Sequence, residues 1–232
     1  MEEFRTESLP AIPGGNLPTE DIVPIIYRIR GRGFEGPDPD DTPKDITGVV
    51  LGIKPSRWLP AEGGEGQAAV QCQLVGYGVG EWVLRPGDPD SPTERRECAS
   101  CPANRWGSAV DAKTGAHRRG KACREKRLIL FLRDQDAFPV VVSAPPTSIV
   151  PLKRWVSLMA TRGVSHSWQV RVRLSVVEQR RGTEQWGVLR IETLENLDQD
   201  NLAKLAARLT HPAVLAIAAG WRAQEAASDP HD

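Results

Sequence analysis

Between positions 76 and 126 the sequence has little hydrophobic periodicity and is rich in Gly and Pro, yet it holds three of the chain's four cysteines. A structureless stretch that long is uncommon inside a compact domain unless something besides an apolar core orders it. The cysteines suggest what that is. Cys98-Ala-Ser-Cys101 has the spacing that places two sulfurs on one metal, and Cys123 offers a third. Cys72, in an apolar run just upstream, is either a fourth ligand or a buried core thiol, with His117 as its substitute. Zinc takes four such ligands tetrahedrally, and four thiolates would leave no open position for water, so the expected metal is structural Zn2+. Arg105, Lys121 and Arg124 nearby favour the thiolate form. A redox Cys-x-x-Cys has no βαβ context here, and the spacing fits no ferredoxin run.

The flanking sequence reads as mainly β. Residues 46–53 and 67–75 are apolar and β-branched, separated by a Gly63-Gly64-Glu65-Gly66 turn. Residues 128–132 and 138–142 form a strand pair around Asp134-Gln135-Asp136. Thr147 or Ser148 is placed to cap a helix reaching about Arg162, with Leu152, Trp155, Val156 and Met159 at helical spacing and Gly163 ending it. Residues 168–176 alternate apolar and polar, Arg180-Arg181-Gly182-Thr183 turns the chain, and 185–193 return it. Asp198 caps a last helical region that His211-Pro212 interrupts. The expected fold is α+β and mainly β: an OB-like antiparallel barrel with a zinc-ribbon-like insertion and C-terminal helices. The expected divisions are 1–44, an acidic extended arm with one anchoring strand; 45–197, the OB-like domain with its insertion at about 76–126; and 198–232, a helical extension with a polar tail.

Lys and Arg number 30, as do Asp and Glu, so total charge points to no partner class. The distribution is uneven. Acidic residues dominate 1–44, whereas 105–133 is basic, the local form that an electrostatic footprint takes. No segment approaches the ~18 apolar residues of a membrane span. Met1-Glu2-Glu3-Phe4 lacks the start of a signal peptide, so a cytosolic location is expected. The four histidines are scattered, and no Gly-x-Ser-x-Gly, phosphate-cradling loop, His-Glu-x-x-His or deaminase His-x-Glu occurs. No enzymatic activity is expected.

The run Cys98-x2-Cys101-Pro102-x-Asn104-x-Trp106-Gly107-Ser108, the Gly120-Lys121-x-Cys123 segment, Phe138-Pro139, the Ala144-Pro145-Pro146-Thr147-Ser148 passage, and Trp58 followed by Cys72 together resemble a family of phage and mobile-element single-stranded DNA-binding proteins. The likeness covers roughly 45–195. One departure is Gln73-Leu74-Val75 after Cys72, where a more polar turn is expected. The resemblance implies an OB-like domain with a zinc-bearing insertion, acting on single strands in replication or recombination inside a bacterial host, with proteins of those processes as further partners. Single-strand binders join a positive groove to aromatic platforms. The chain's aromatic supply is mostly indole: seven Trp against two Tyr and four Phe. Candidate platforms are Trp82, Trp106, Trp168 and Trp186, with Tyr77 besides; Trp106 alternatively covers the metal, and Trp168 alternatively packs with Val170 and Val172. Candidate phosphate contacts are Arg105, Arg118, Arg119, Lys121, Arg124 and Lys126 around the cysteines, and Arg171, Arg173, Arg180 and Arg181 on the hairpin, where a solvated strand face is the plainer reading. The competing function is a zinc-ribbon protein-interaction or transcription-associated factor.

Overall fold

The computed structural model describes residues 24–38, 40–60, 70–76, 78–86, 88, 90–111 and 114–223. Most of the acidic arm, the turn at 63–66, Tyr77 and the tail at 228–232 lie outside the described residues. In chain order the elements are β1 (Ile26–Arg30), β2 (Gly33–Glu35), β3 (Asp45–Pro60), β4 (Val70–Gly76), β5 (Val79–Val83), β6 (Thr93–Glu97), β7 (Arg124–Arg133), β8 (Val140–Ala144), α1 (Ile149–Thr161), β9 (Val170–Arg181), β10 (Glu184–Asn196), α2 (Gln199–Leu209) and α3 (Pro212–Ala223). The protein is mainly β, built on a mixed sheet with helices toward the C-terminus. It divides into two compact units, one formed by residues up to Lys54 and Arg127–Arg222, the other by Pro55–Lys126 with the residues from Ala223 on.

In the first unit the strands run β2-β1-β8-β7-β3 and continue through β9 to β10. The β1–β8 pair is parallel; β1–β2, β7–β8, β3–β9 and β9–β10 are antiparallel. Strand β7 explains why its sequence is a continuous apolar run rather than an alternating one. Successive side chains point to opposite faces. Ile129 and Phe131 join a core cluster with Tyr27, Val50, Val142, Leu174 and the α1 residues Leu152, Trp155 and Met159. Leu128 and Leu130 face the other way, against Ile217 of α3, and Leu132 meets Leu205 of α2. A strand buried on both faces cannot carry polar residues on either. Strand β9 is covered on one face only, so Val172 and Leu174 are fully buried and Arg173 is exposed.

Helix α1 begins and ends where the sequence places it, but Ser148 does not cap it. Its Oγ accepts a hydrogen bond from the Leu189 backbone N–H at 2.8 Å, fastening the start of the helix to β10. Val156, expected on the apolar face, is 45% exposed. Asp198 does cap α2, accepting from the Asn201 N–H at 2.8 Å, and α2 and α3 meet at a 71° bend. Among the described residues no single helix is long and apolar enough to cross a membrane. The segment expected as an arm contributes β1 and β2, and places Tyr27 and Phe34 in the main core. The Tyr27 hydroxyl donates to Asp41, and burial first, then that bond, push its pKa up to about 12.

The second unit begins at Pro55, and in it β4 pairs with the far end of β3 (Trp58 with Gln73, Leu59 with Cys72). Antiparallel β4–β5 and β5–β6 pairs follow. Strand β6, Thr-Glu-Arg-Arg-Glu, is exposed at every position. It lacks an apolar alternation in sequence because an edge strand with two wet faces needs none.

Gly48 sits in β3 where it pairs with Val172 of β9. A Cβ there would fall 2.0 Å from the Leu132 carbonyl oxygen and 2.9 Å from the Arg133 Cα. Both obstacles are backbone, so neither can rotate away. Gly48→Ala should therefore destabilise the first unit by about 3 kcal/mol or more, read as a lower urea midpoint.

Candidate metal centre and nucleic-acid surface

The four cysteines come from four places in the second unit and surround one small void of about 20 Å3. Cys72 lies in β4 opposite Trp82 of β5. Cys98 follows β6, its N–H donating to the Gly78 carbonyl at 2.8 Å. Cys101 precedes a 3-10 turn over Pro102–Asn104. Cys123 precedes β7, its N–H donating to the Ala103 carbonyl at 2.9 Å. All four are free thiols. His117 is elsewhere, exposed on a short hairpin with its Nδ1 3.3 Å from the Gly107 carbonyl, whereas Cys72 lines the void with the other three cysteines.

The conformation of the cysteine run follows from its sequence residue by residue. Asn104 donates from Nδ2 to the Cys98 carbonyl at 2.7 Å and accepts from Lys121 Nζ at 3.0 Å. Its own N–H donates to the Cys101 carbonyl. Ser108 Oγ donates to the Ala103 carbonyl and accepts from the Ala122 N–H, both at 2.9 Å. Gly107, at φ +86°, takes a backbone that other residues resist, and its N–H reaches the Gly120 carbonyl at 2.7 Å. The Arg118 N–H donates to the Ala109 carbonyl, so segments 107–110 and 117–120 lie side by side. Polar contacts thus do here what an apolar core does in the first unit.

Four thiols are by chemistry the donor set that a structural zinc takes. Gly80 leaves room for it: a Cβ would lie 2.8 Å from Cys72 Sγ and 3.7 Å from Cys98 Sγ. Burial, then the neighbouring sulfurs, raise the Cys72 and Cys123 thiols to about 11. Crowded thiolates repel one another, and a dication among them reverses that balance. Among the described residues no three ligand side chains stand in a metal-coordinating arrangement as they are; the sulfurs share a void without being drawn together.

The other candidate residues fall into distinct environments. Trp106 is 75% exposed, flanked by the exposed Arg105, with the exposed Arg119 on the neighbouring segment. Neither arginine side chain has an ion-pair partner among the described residues. Arg118 pairs with Asp111. Lys121 is held by Asn104. Arg124 lies over Trp58, 4.7 Å from the ring centroid, and Lys126 is half-buried. Trp82 is half-buried, with Arg96 4.0 Å above its ring, a contact that puts a cation on a candidate platform.

On the hairpin of the first unit the arginines are mostly committed. Arg171 pairs with Asp134 at 2.7 Å and with Glu195 at 3.1 Å, and Arg180 pairs with Glu178 at 2.5 Å. Hydrogen bonds from Arg32 and then Arg180 pull the Glu178 carboxyl down to about 2. Arg173 is 3.9 Å from Glu192 on an exposed face, and Arg181 is exposed near the tip. Trp168 lies in the 3-10 turn before β9, not on that strand's valine face. It packs near Leu205 and stacks on His166 with centroids 5.1 Å apart. Trp186 is half-buried, its indole N–H buried without a partner among the described residues. The acids that neutralise Arg171 are distant in sequence, so the strand pattern gives no sign of them. Arg96 and its contact with Trp82 are equally silent in sequence.

The chain matches no family model, no curated protein and no solved structure.

Asn104 is the residue on which the cysteine turn hangs. Asn104→Ala removes a donor to Cys98 and the acceptor for Lys121. The expected cost to the second unit is about 1–3 kcal/mol, seen as faster amide hydrogen exchange across 98–123 with the core of the first unit unchanged.

Proposed function

We propose that this chain is a non-catalytic single-stranded DNA-binding protein of the phage or mobile-element kind, with a structural zinc in its cysteine-bearing unit. The observation that carries the reading is the environment of Trp106. Within the run 98–108, Cys98, Cys101, Asn104, Gly107 and Ser108 each serve the local fold, whereas Trp106 points 75% of its surface to solvent. An exposed indole, with Arg105 next in sequence and Arg119 on the neighbouring segment and neither ion-paired among the described residues, has the composition of a base-stacking platform with phosphate contacts. The aromatic face is sequence-tolerant and the cations are not base-specific, so the reading is of general strand binding.

The resemblance of the cysteine run to that family supports the same reading, as does the convergence of the four sulfurs on one void, which fits Zn2+ held by Cys72, Cys98, Cys101 and Cys123. We further propose that the first unit is an OB-like barrel. In support, Gly187 of β10 lies so near β1 that a Cβ on it would come within 2.9 Å of both Ile29 Cγ2 and the Gly31 carbonyl oxygen. The metal would order the cysteine loops and hold Trp106 in place. With four thiolates bound it offers no position for a reacting water.

Metal analysis of the purified protein should give about one zinc per chain, and Cys101→Ser should release it and loosen the second unit while the first stays folded. A Cys101→Ser protein that keeps its zinc rules out the ligand set.

Titration with oligo-dT, followed by Trp fluorescence, should quench with a steep salt dependence. Trp106→Ala should weaken binding by about 1–3 kcal/mol. Arg105→Ala and Arg119→Ala should each reduce the salt slope by about 0.7. A duplex of equal length controls for simple charge attraction. Absence of quenching at low salt for zinc-loaded protein overturns strand binding and favours Trp106 as a protein-contact residue.

A further inference from the structure

The first unit carries an apolar groove that its own fold leaves open. Helix α1 and the β9–β10 hairpin enclose about 430 Å3 between them, walled by aliphatic side chains such as Val150, Leu158, Val177 and Ile191. Three of the apolar groups at this groove are well exposed: Val150 at 67%, Leu158 at 43% and Val177 at 44%. Exposed aliphatic surface gathered in one concave place marks a binding site more often than scattered exposure does. The rim carries two cations, Arg154 from α1 and Arg190 from β10. Both are exposed, and neither side chain has an ion-pair partner among the described residues, although most arginines of this hairpin do. No carboxylate lines the groove among the described residues.

We infer that this groove is a docking site for an acidic, aliphatic peptide segment of a partner protein. The walls accept one or two bulky apolar side chains, and Arg154 and Arg190 meet carboxylates on either side of them. Charge complementarity selects the partner and speeds encounter, while the apolar anchors hold it. The walls disfavour a nucleic-acid strand at this place. Bases need ring faces on which to stack, and the groove's indole, Trp155, is 5% exposed, with its N–H donated to Thr193 Oγ1 at 3.0 Å. The inference stands on residues of the first unit and does not depend on Trp106 or on a metal.

The test uses the full chain and fluorescence anisotropy of a labelled peptide, Glu-Asp-Leu-Ile-Glu-Asp, at low salt. The expected result is saturable binding at least about tenfold tighter than that of Glu-Asp-Ala-Ala-Glu-Asp or Lys-Lys-Leu-Ile-Lys-Lys. The double variant Arg154→Glu with Arg190→Glu should lose about tenfold or more, and Val177→Asp, at an exposed position, should lose as much. Arg154→Gln with Arg190→Gln serves if the reversals impair folding, which the urea midpoint reveals. Trp106→Ala should bind the peptide unchanged, so failure of the strand-binding reading leaves this result intact. Absence of saturable peptide binding, binding that the arginine variants leave unchanged, or displacement of the peptide by oligo-dT that the same variants abolish overturns the inference; the last would make the groove a DNA site.

Discussion

The burial of β7 on both of its faces is the constraint from which the first unit follows. One set of its alternate residues, Ile129 and Phe131, needs a core with α1 and the facing strands; the other, Leu128, Leu130 and Leu132, needs cover from α2 and α3. Either set left in water would cost more than any surface contact in the chain returns. The C-terminal helices α2 and α3 therefore cover one face of β7. The same demand brings β1 and β2 into the structure, since Tyr27 and Phe34 fill the cluster that β7 faces.

The second unit solves the same problem with different means. Among its described residues the buried apolar side chains are few, Trp58, Leu74 and Cys98. Order comes instead from side chains bonding to backbone: Asn104 to Cys98, Ser108 to Ala103 and Ala122, Lys121 to Asn104. Such bonds have direction, so each residue type in the run has one place it can stand. The fold thus accounts for the residues around Trp106, which itself stays exposed.

The two surfaces that carry functional proposals differ in the same physical sense. Trp106 is exposed, with the exposed Arg105 next to it in sequence and the exposed Arg119 on the neighbouring segment. Beside α1, Arg154 and Arg190 stand beside aliphatic walls. Ion pairing distinguishes the arginines of the hairpin. Arg171 shares the strand face of Arg190, but Asp134 and Glu195 hold it, and Glu178 holds Arg180.

The sequence by itself determined the elements whose periodicity is local: β7 and β8, α1 from residue 149, the β9–β10 hairpin with Gly182 at its turn, and the Asp198 cap of α2. It also determined the turn at Cys98–Cys101, because Asn104 and Ser108 act within a few residues of it. Contacts that join distant positions were left to the tertiary structure. Strand β6 carries no apolar pattern to read, and β4 reaches back to the end of β3 within the unit that begins at Pro55. Ser148 looks like a helix cap until Leu189 arrives to use its hydroxyl. The identity of the fourth thiol, the occupied state of Arg171 and the open groove beside α1 likewise depend on partners far along the chain. A one-dimensional pattern records which residues want burial or a hydrogen bond; only the folded chain decides which of them are already satisfied.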